Sequence, residues 1–171
     1  MDRQKLRELQ APLKEGYSED PASAVVTLRA DGDLDSEAIA CSVQTGRALV
    51  EAGLHPASGG DGTLACSGDM LLQALVACAG VTMRSVAVNR GIRIDQGRVL
   101  AEGDLDFRGT MGVDRDAPVG FREIRLRFEI DSPASEEDLE ALVGITERYC
   151  VVYQTLAAAV PVEVGYENGP F

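Results

Sequence analysis

The sequence contains a single histidine, His55, and few cations: 16 lysines and arginines stand against 28 aspartates and glutamates, a net charge of −12. Each shortage excludes a class of function. Phosphate backbones and anionic membrane surfaces need a basic patch, so neither nucleic acid nor membrane is expected as a partner. His55 lies beside Pro56 and reads as a solvated loop residue. A Ser-His-Asp catalyst would have to use it, and no serine sits in a nucleophile elbow. Zinc needs clustered ligands at short spacing, whereas Cys41, Cys66, Cys78 and Cys150 are scattered, so no metal and no cofactor is expected. A thioredoxin-like Cys-x-x-Cys is absent. No apolar run approaches ~18–20 residues without charged or polar breaks, so no membrane span is expected. The opening MDRQKLRELQ has charges but no apolar region behind it, which does not read as a secretory signal. The cytoplasm is the default location. There, four cysteines in 171 residues are not a disulfide scaffold. They are either core packing or redox chemistry.

A chain of this length is expected to form one domain with a real core, of mixed α+β class. Its organising stretch is Asp69–Gly91, DMLLQALVACAGVTMRSVAVNRG, which is apolar almost all round from Met70 to Val88. Such a pattern predicts a helix buried on most sides rather than on one face. Ser67 is the expected N-cap, Asp69 suits the positive end of the helix dipole, and Gly91 is a plausible stop. Cys78 sits in the Ala-rich middle. From its surroundings alone it is either a small core hydrophobe or a redox thiol.

In chain order, residues 3–15 place Leu6, Leu9 and Leu13 at helical spacing with Pro12 interrupting, a short N-terminal helix; YSEDPAS reads as a turn. Ala24–Arg29 and Glu37–Gln44 read as two strands of a hairpin around Asp-Gly, with Ile39, Cys41 and Val43 on one face. Residues 45–53 read as a compact turn or short helix, and the glycine-rich HPASGGDGTLACSGD as a loop that feeds the central helix. That loop lacks a P-loop lysine, and Asp61 and Asp69 would repel phosphate. Val99 to Phe107 and Ile124 to Ile130 alternate as half-buried strands. Ser135 and Asp138 open a second helix with a near capping box, its core stripe being Leu139, Leu142, Val143 and Thr146. Near Tyr149 that helix meets Cys150 and bends into a further helical turn; a helix start lowers a thiol pKa. Val162, Val164 and Tyr166 alternate as a last strand. Cys66 and Cys78, twelve residues apart along a rigid helix, are separated by on the order of 15 Å, too far for a disulfide. Cys66, kept from Cys78 by that distance, and Cys41, in phase with Ile39 and Val43 on the core face of its strand, are read as structural.

Two motifs carry a resemblance. SGGDGTLACSGDMLLQALVACAGVT is similar to the central segment of the OsmC/Ohr family (osmotically inducible protein C and organic hydroperoxide resistance protein). ERYCVVYQTL resembles that family's second cysteine motif. The likeness covers roughly residues 24–166, which implies an N-terminal helical extension at 1–22 and an OsmC-like domain at 23–171. It also implies an intertwined homodimer of α+β fold and a cysteine-based thiol peroxidase acting on organic hydroperoxides. Cys78 would attack and Cys150 resolve, and a dithiol reductant, a lipoylated protein in characterised members, would restore both. Gly68 stands where the peroxidase branch has a glutamate, with Asp69 beside it, and Val151 stands where the family has proline. Arg47, and second Arg29, are the candidates for the arginine that stabilises the thiolate. The alternative is a non-catalytic or small-ligand-binding protein of the same fold, with both thiols reduced in the core. An arginine within reach of the Cys78 sulfur is the discriminating feature.

Overall fold

The computed structural model describes residues 2–19, 22, 32–34, 40–44, 49–166 and 168. The elements run α1 (Arg3–Glu19), β1 (Gly32–Leu34), β2 (Ala40–Gln44), β3 (Leu49–Gly53), β4 (Ala65–Cys66), α2 (Ser67–Arg90), β5 (Gln96–Leu105), the single turn α3 (Phe107–Thr110), β6 (Phe121–Asp131), α4 (Glu136–Tyr149) and α5 (Val151–Ala157). Strands β1 to β4 form one sheet in that order, antiparallel except for the parallel β3–β4 pair. Strands β5 and β6 form a long antiparallel hairpin. The α+β class is as expected, with helices packed on sheet.

Helix α2 is the centre. Leu75, Ala79, Met83 and Ala87 recur every fourth residue and form its buried stripe. The upper half of that stripe packs with Cys150, Val99, Ala101, Ile124 and Leu126. The lower half packs with Leu142, Ile92, Ile94, Phe128 and Ile130. Alternation on the hairpin sends Ile124, Leu126 and Phe128 to this core, while Arg125 and Arg127 face solvent and pair with acidic neighbours on the strands.

Several expectations are corrected. Within the chain, α2 is buried along one stripe, not on most sides; Val81 is 73 % exposed. The helix is also long and apolar enough to cross a membrane, with a mean hydropathy of 1.7. Isolated polar residues do not lower the average of a segment so rich in alanine, valine and leucine. Within the chain it packs on β5, α4 and α5. The N-cap is Cys66, in extended conformation, and Ser67 begins the helix. Gly91 ends it as expected, at φ 73°, a conformation that costs glycine nothing. Helix α1 runs through Pro12 to Glu19 and absorbs part of the expected turn. Residues 49–53, read as a turn or short helix, form β3 paired along β2. Gly32–Leu34, read as part of a turn, is strand β1. Phe107 lies beyond the end of β5, in α3. Residues 159–166 form no strand within the chain. The strand expected at 24–29 and the side chain of Cys41 lie outside the described residues.

Candidate active site

Two helices bring two cysteines together. Cys78 is in the middle of α2, one turn after the buried Leu75 and next to the buried Ala79, and half-buried. Cys150 is fully buried at the corner where α4 ends and α5 begins. The corner follows from local sequence. Ser135 caps α4, its hydroxyl accepting the Asp138 N–H at 3.1 Å and donating to the Asp138 carboxylate at 2.8 Å. Leu142 and Thr146 seat the helix on α2. Cys150 then leaves the helical conformation (φ −75°, ψ 108°) while its N–H still donates to the Thr146 carbonyl at 2.9 Å. Its own carbonyl accepts from Gln154 at 2.9 Å to start α5. A residue that ends one helix and starts the next leaves the first amides of the new helix without partners inside it.

Those amides point at Cys78. Burial alone would raise its pKa. The N–H of Val152, the thiol of Cys150, the N–H of Val151 and the hydroxyl of Thr82 together outweigh burial, and Cys78 lies below the ordinary thiol value. Cys150 goes the other way: burial lifts it, the Tyr153 N–H only partly offsets that, and neighbouring Cys78 lifts it further. The expectation that the helix start lowers Cys150 is corrected: burial and the neighbouring Cys78 lift that thiol, and the Val151 and Val152 amides hold Cys78 down instead. The pair is polarised, with a thiolate-prone sulfur beside a thiol that keeps its proton.

The other expected site residues are not brought to this pair. Asp69 is exposed in the first turn of α2, beside Leu72, Gln73 and Val76. Nine residues of helix, roughly 14 Å, separate it from Cys78. Arg29 and Arg47 both lie outside the described residues. Among the described residues no arginine acts on the Cys78 thiol. Cys66 is half-buried at the helix cap, close to where a side chain on Gly68 would begin. His55 is more than a solvated residue: its ring stacks on Phe107 with centroids 5.0 Å apart, and its Nδ1 accepts the Ala57 N–H. Among the described residues no group of His, Cys, Asp and Glu could hold a metal. The contributors missed in the sequence are Thr82 and the amides of Val151 and Val152. Thr82 was legible in principle, four residues after Cys78 on the same helix face; the amides were not, since they carry no side-chain signal.

Comparison with known proteins gives a consistent picture. The sequence model of a family described as OsmC-like protein matches residues 60–165. The comparison with curated proteins gave no match. An OsmC-like protein from Mycoplasma pneumoniae superposes with a TM-score of 0.64 at 21 % identity, covering 77 % of this chain and 88 % of that one. An organic hydroperoxide resistance protein OsmC from Legionella pneumophila gives 0.61 at 18 % identity, covering 78 % and 90 %. An organic hydroperoxide resistance protein from Elizabethkingia anophelis gives 0.61 at 14 % identity, covering 77 % and 88 %. At these identities the structural likeness speaks for the fold.

Proposed function

The chain belongs to the OsmC/Ohr family, and from that premise we propose that it is a cysteine-based thiol peroxidase acting on organic hydroperoxides, with Cys78 attacking and Cys150 resolving. The observation that carries the proposal is the contact between the two thiols and their opposite polarisation. The Cys78 thiolate attacks the outer oxygen of the hydroperoxide. The O–O bond breaks, the alkoxide leaves and takes up a proton as the alcohol, and Cys78 becomes a sulfenic acid. Cys150, held as a thiol, then attacks the sulfenic sulfur; an S–S bond forms and water leaves. A dithiol reductant, such as a lipoylated protein, reduces the disulfide and is itself oxidised.

The remaining roles belong to the same proposal. Arg47, and second Arg29, is the cation that would add to the amides in holding the thiolate, and Asp69 would orient it. Residues 1–22 form an N-terminal extension on the OsmC-like domain of 23–171. The setting is the cytoplasm, where a dithiol reductant can operate. The assembly is an intertwined homodimer, and two surfaces support it. On α2, Met70, Ala74, Ala77, Val81, Arg84 and Val88 follow the alternating three-and-four spacing of a helix–helix seam, and Ala74, Ala77 and Val81 are exposed. Past α5, Val162, Val164 and Tyr166 alternate as a strand would, yet each is more than 80 % exposed. An extended apolar segment left open in this way suits addition to a second copy's sheet.

The test is hydroperoxide consumption with a dithiol reductant by wild type and Cys78→Ser. Turnover by wild type that disappears in the variant is expected. No turnover by wild type, with both thiols remaining reduced, would favour the non-catalytic reading.

A further inference from the structure

Helix α1 lies outside residues 60–165, which match the OsmC-like family. It packs on α2, and a groove of about 690 Å³ separates parts of α1, α2 and α4. Gln10 and Lys14 line it from α1, Thr82 from α2 and Tyr149 from α4. The Thr82 hydroxyl is on the Cys78 sulfur, and Tyr149 precedes Cys150, so the groove ends at the cysteine pair. Val81, also in its lining, is 73 % exposed and leaves one side open. A groove of this size admits a small molecule. A folded domain cannot bring a reactive group into it while α1 is in place. The seat of α1 is nonetheless weak. None of its described side chains is buried; Leu6 and Gln10, one turn apart, are half-buried. Its described side-chain hydrogen bond, Gln4 to Glu8, stays within the helix. Among the described residues no ion pair joins α1 to the rest of the chain.

We propose that α1 is a size filter over Cys78: slender molecules reach the thiol along the groove, and bulky ones only in the fraction of molecules whose α1 has left its seat. The helix is 17 residues long and carries Pro12 in its interior. Proline gives no N–H to the helical ladder. A helix of this length with that interruption holds little structure alone in water. Leaving α2 and melting are therefore one event, and the opened state exposes the whole α1 side of the groove. An element seated by a few half-buried side chains opens locally at far lower cost than the buried core around Leu75 and Leu142. The filter stands on the packing of α1 and does not depend on the peroxidase chemistry.

The experiment compares alkylation of Cys78 by N-ethylmaleimide and by the same maleimide joined through a short linker to a folded carrier protein. Mass spectrometry reads the label at Cys78 itself, in full-length wild type, Leu6→Asp and Pro12→Ala. Leu6→Asp weakens the seat, and Pro12→Ala restores a ladder amide and strengthens it. N-ethylmaleimide should label all three at one rate, which also checks that the thiol is unaltered. The carrier reagent should be slower on wild type, about tenfold faster on Leu6→Asp than on wild type, and slower still on Pro12→Ala. Near-UV circular dichroism should show the core intact in each. A carrier reagent as fast as the small one on wild type, or one whose rate ignores both substitutions, would overturn the proposal. Because alkylation needs no turnover, a protein that shows this size dependence but consumes no hydroperoxide would refute the peroxidase reading and leave the filter standing.

Discussion

At the residue scale, desolvation and hydrogen bonding pull a buried sulfur in opposite directions, and the outcome depends on which polar hydrogens reach it. Cys78 collects two backbone amides, a thiol and the Thr82 hydroxyl, and these win over burial. The sign of the pH dependence follows. A group held below its usual pKa stays charged to lower pH, so Cys78 should react with iodoacetamide at pH values where an ordinary thiol is protonated. Its rate should fall only as pH drops through the lowered value. Thr82→Val removes one donor and should move that profile to higher pH, with near-UV circular dichroism unchanged. An unshifted profile would mean that the hydroxyl does not support the thiolate. The two cysteines were legible in the sequence through their flanking motifs; which one is the nucleophile on electrostatic grounds was not. That depends on where the amides of Val151 and Val152 point, and an amide direction is set by tertiary placement of the α4–α5 corner. Asp106 offers an independent check at the same scale. Its hydrogen bond to Arg108 holds the carboxyl down to about 2, from 3.8. The corresponding stability is complete above the ordinary value and is lost as pH falls to about 2. Asp106→Asn should flatten the acid limb of the stability curve over that window.

At the element scale, legibility followed the strength of local signals. Helix α4 was readable because Ser135 and Asp138 form a capping box and Leu139, Leu142, Val143 and Thr146 recur on one face. Ser135→Ala should cost about 1 kcal/mol in denaturant unfolding, and Leu142→Ala, which empties a site with no exposure at all, about 2–5 kcal/mol. Strand β3 was misread because LVEAG is too short for its periodicity to separate strand from helix; pairing with β2 decides it. Helix α1 passes through Pro12 even though proline gives no amide to the preceding turn, and its packing on α2 is invisible in a local pattern. The last strand was expected from real alternation, but a strand needs a partner, and residues 159–166 have none within the described chain.

At the scale of the whole molecule, the sequence of α2 is more apolar than its single-chain environment can use. Its stripe of Leu75, Ala79, Met83 and Ala87 is covered, while Leu71, Ala74, Ala77 and Val81 face outward. This is why an all-round apolar segment predicted more burial than one chain supplies. If a second copy covers the seam, Val81→Glu should shift sedimentation at micromolar concentration from dimer to monomer; a wild-type monomer would contradict the assembly. The central claim is chemical, and mass spectrometry after one equivalent of an organic hydroperoxide tests it most directly. Wild type should yield a Cys78–Cys150 disulfide, Cys150→Ser a sulfenic or over-oxidised Cys78, and Cys78→Ser no prompt oxidation of Cys150. Prompt oxidation of Cys150 in the Cys78→Ser protein would reverse the roles, and two unmodified thiols in wild type would contradict the claim altogether.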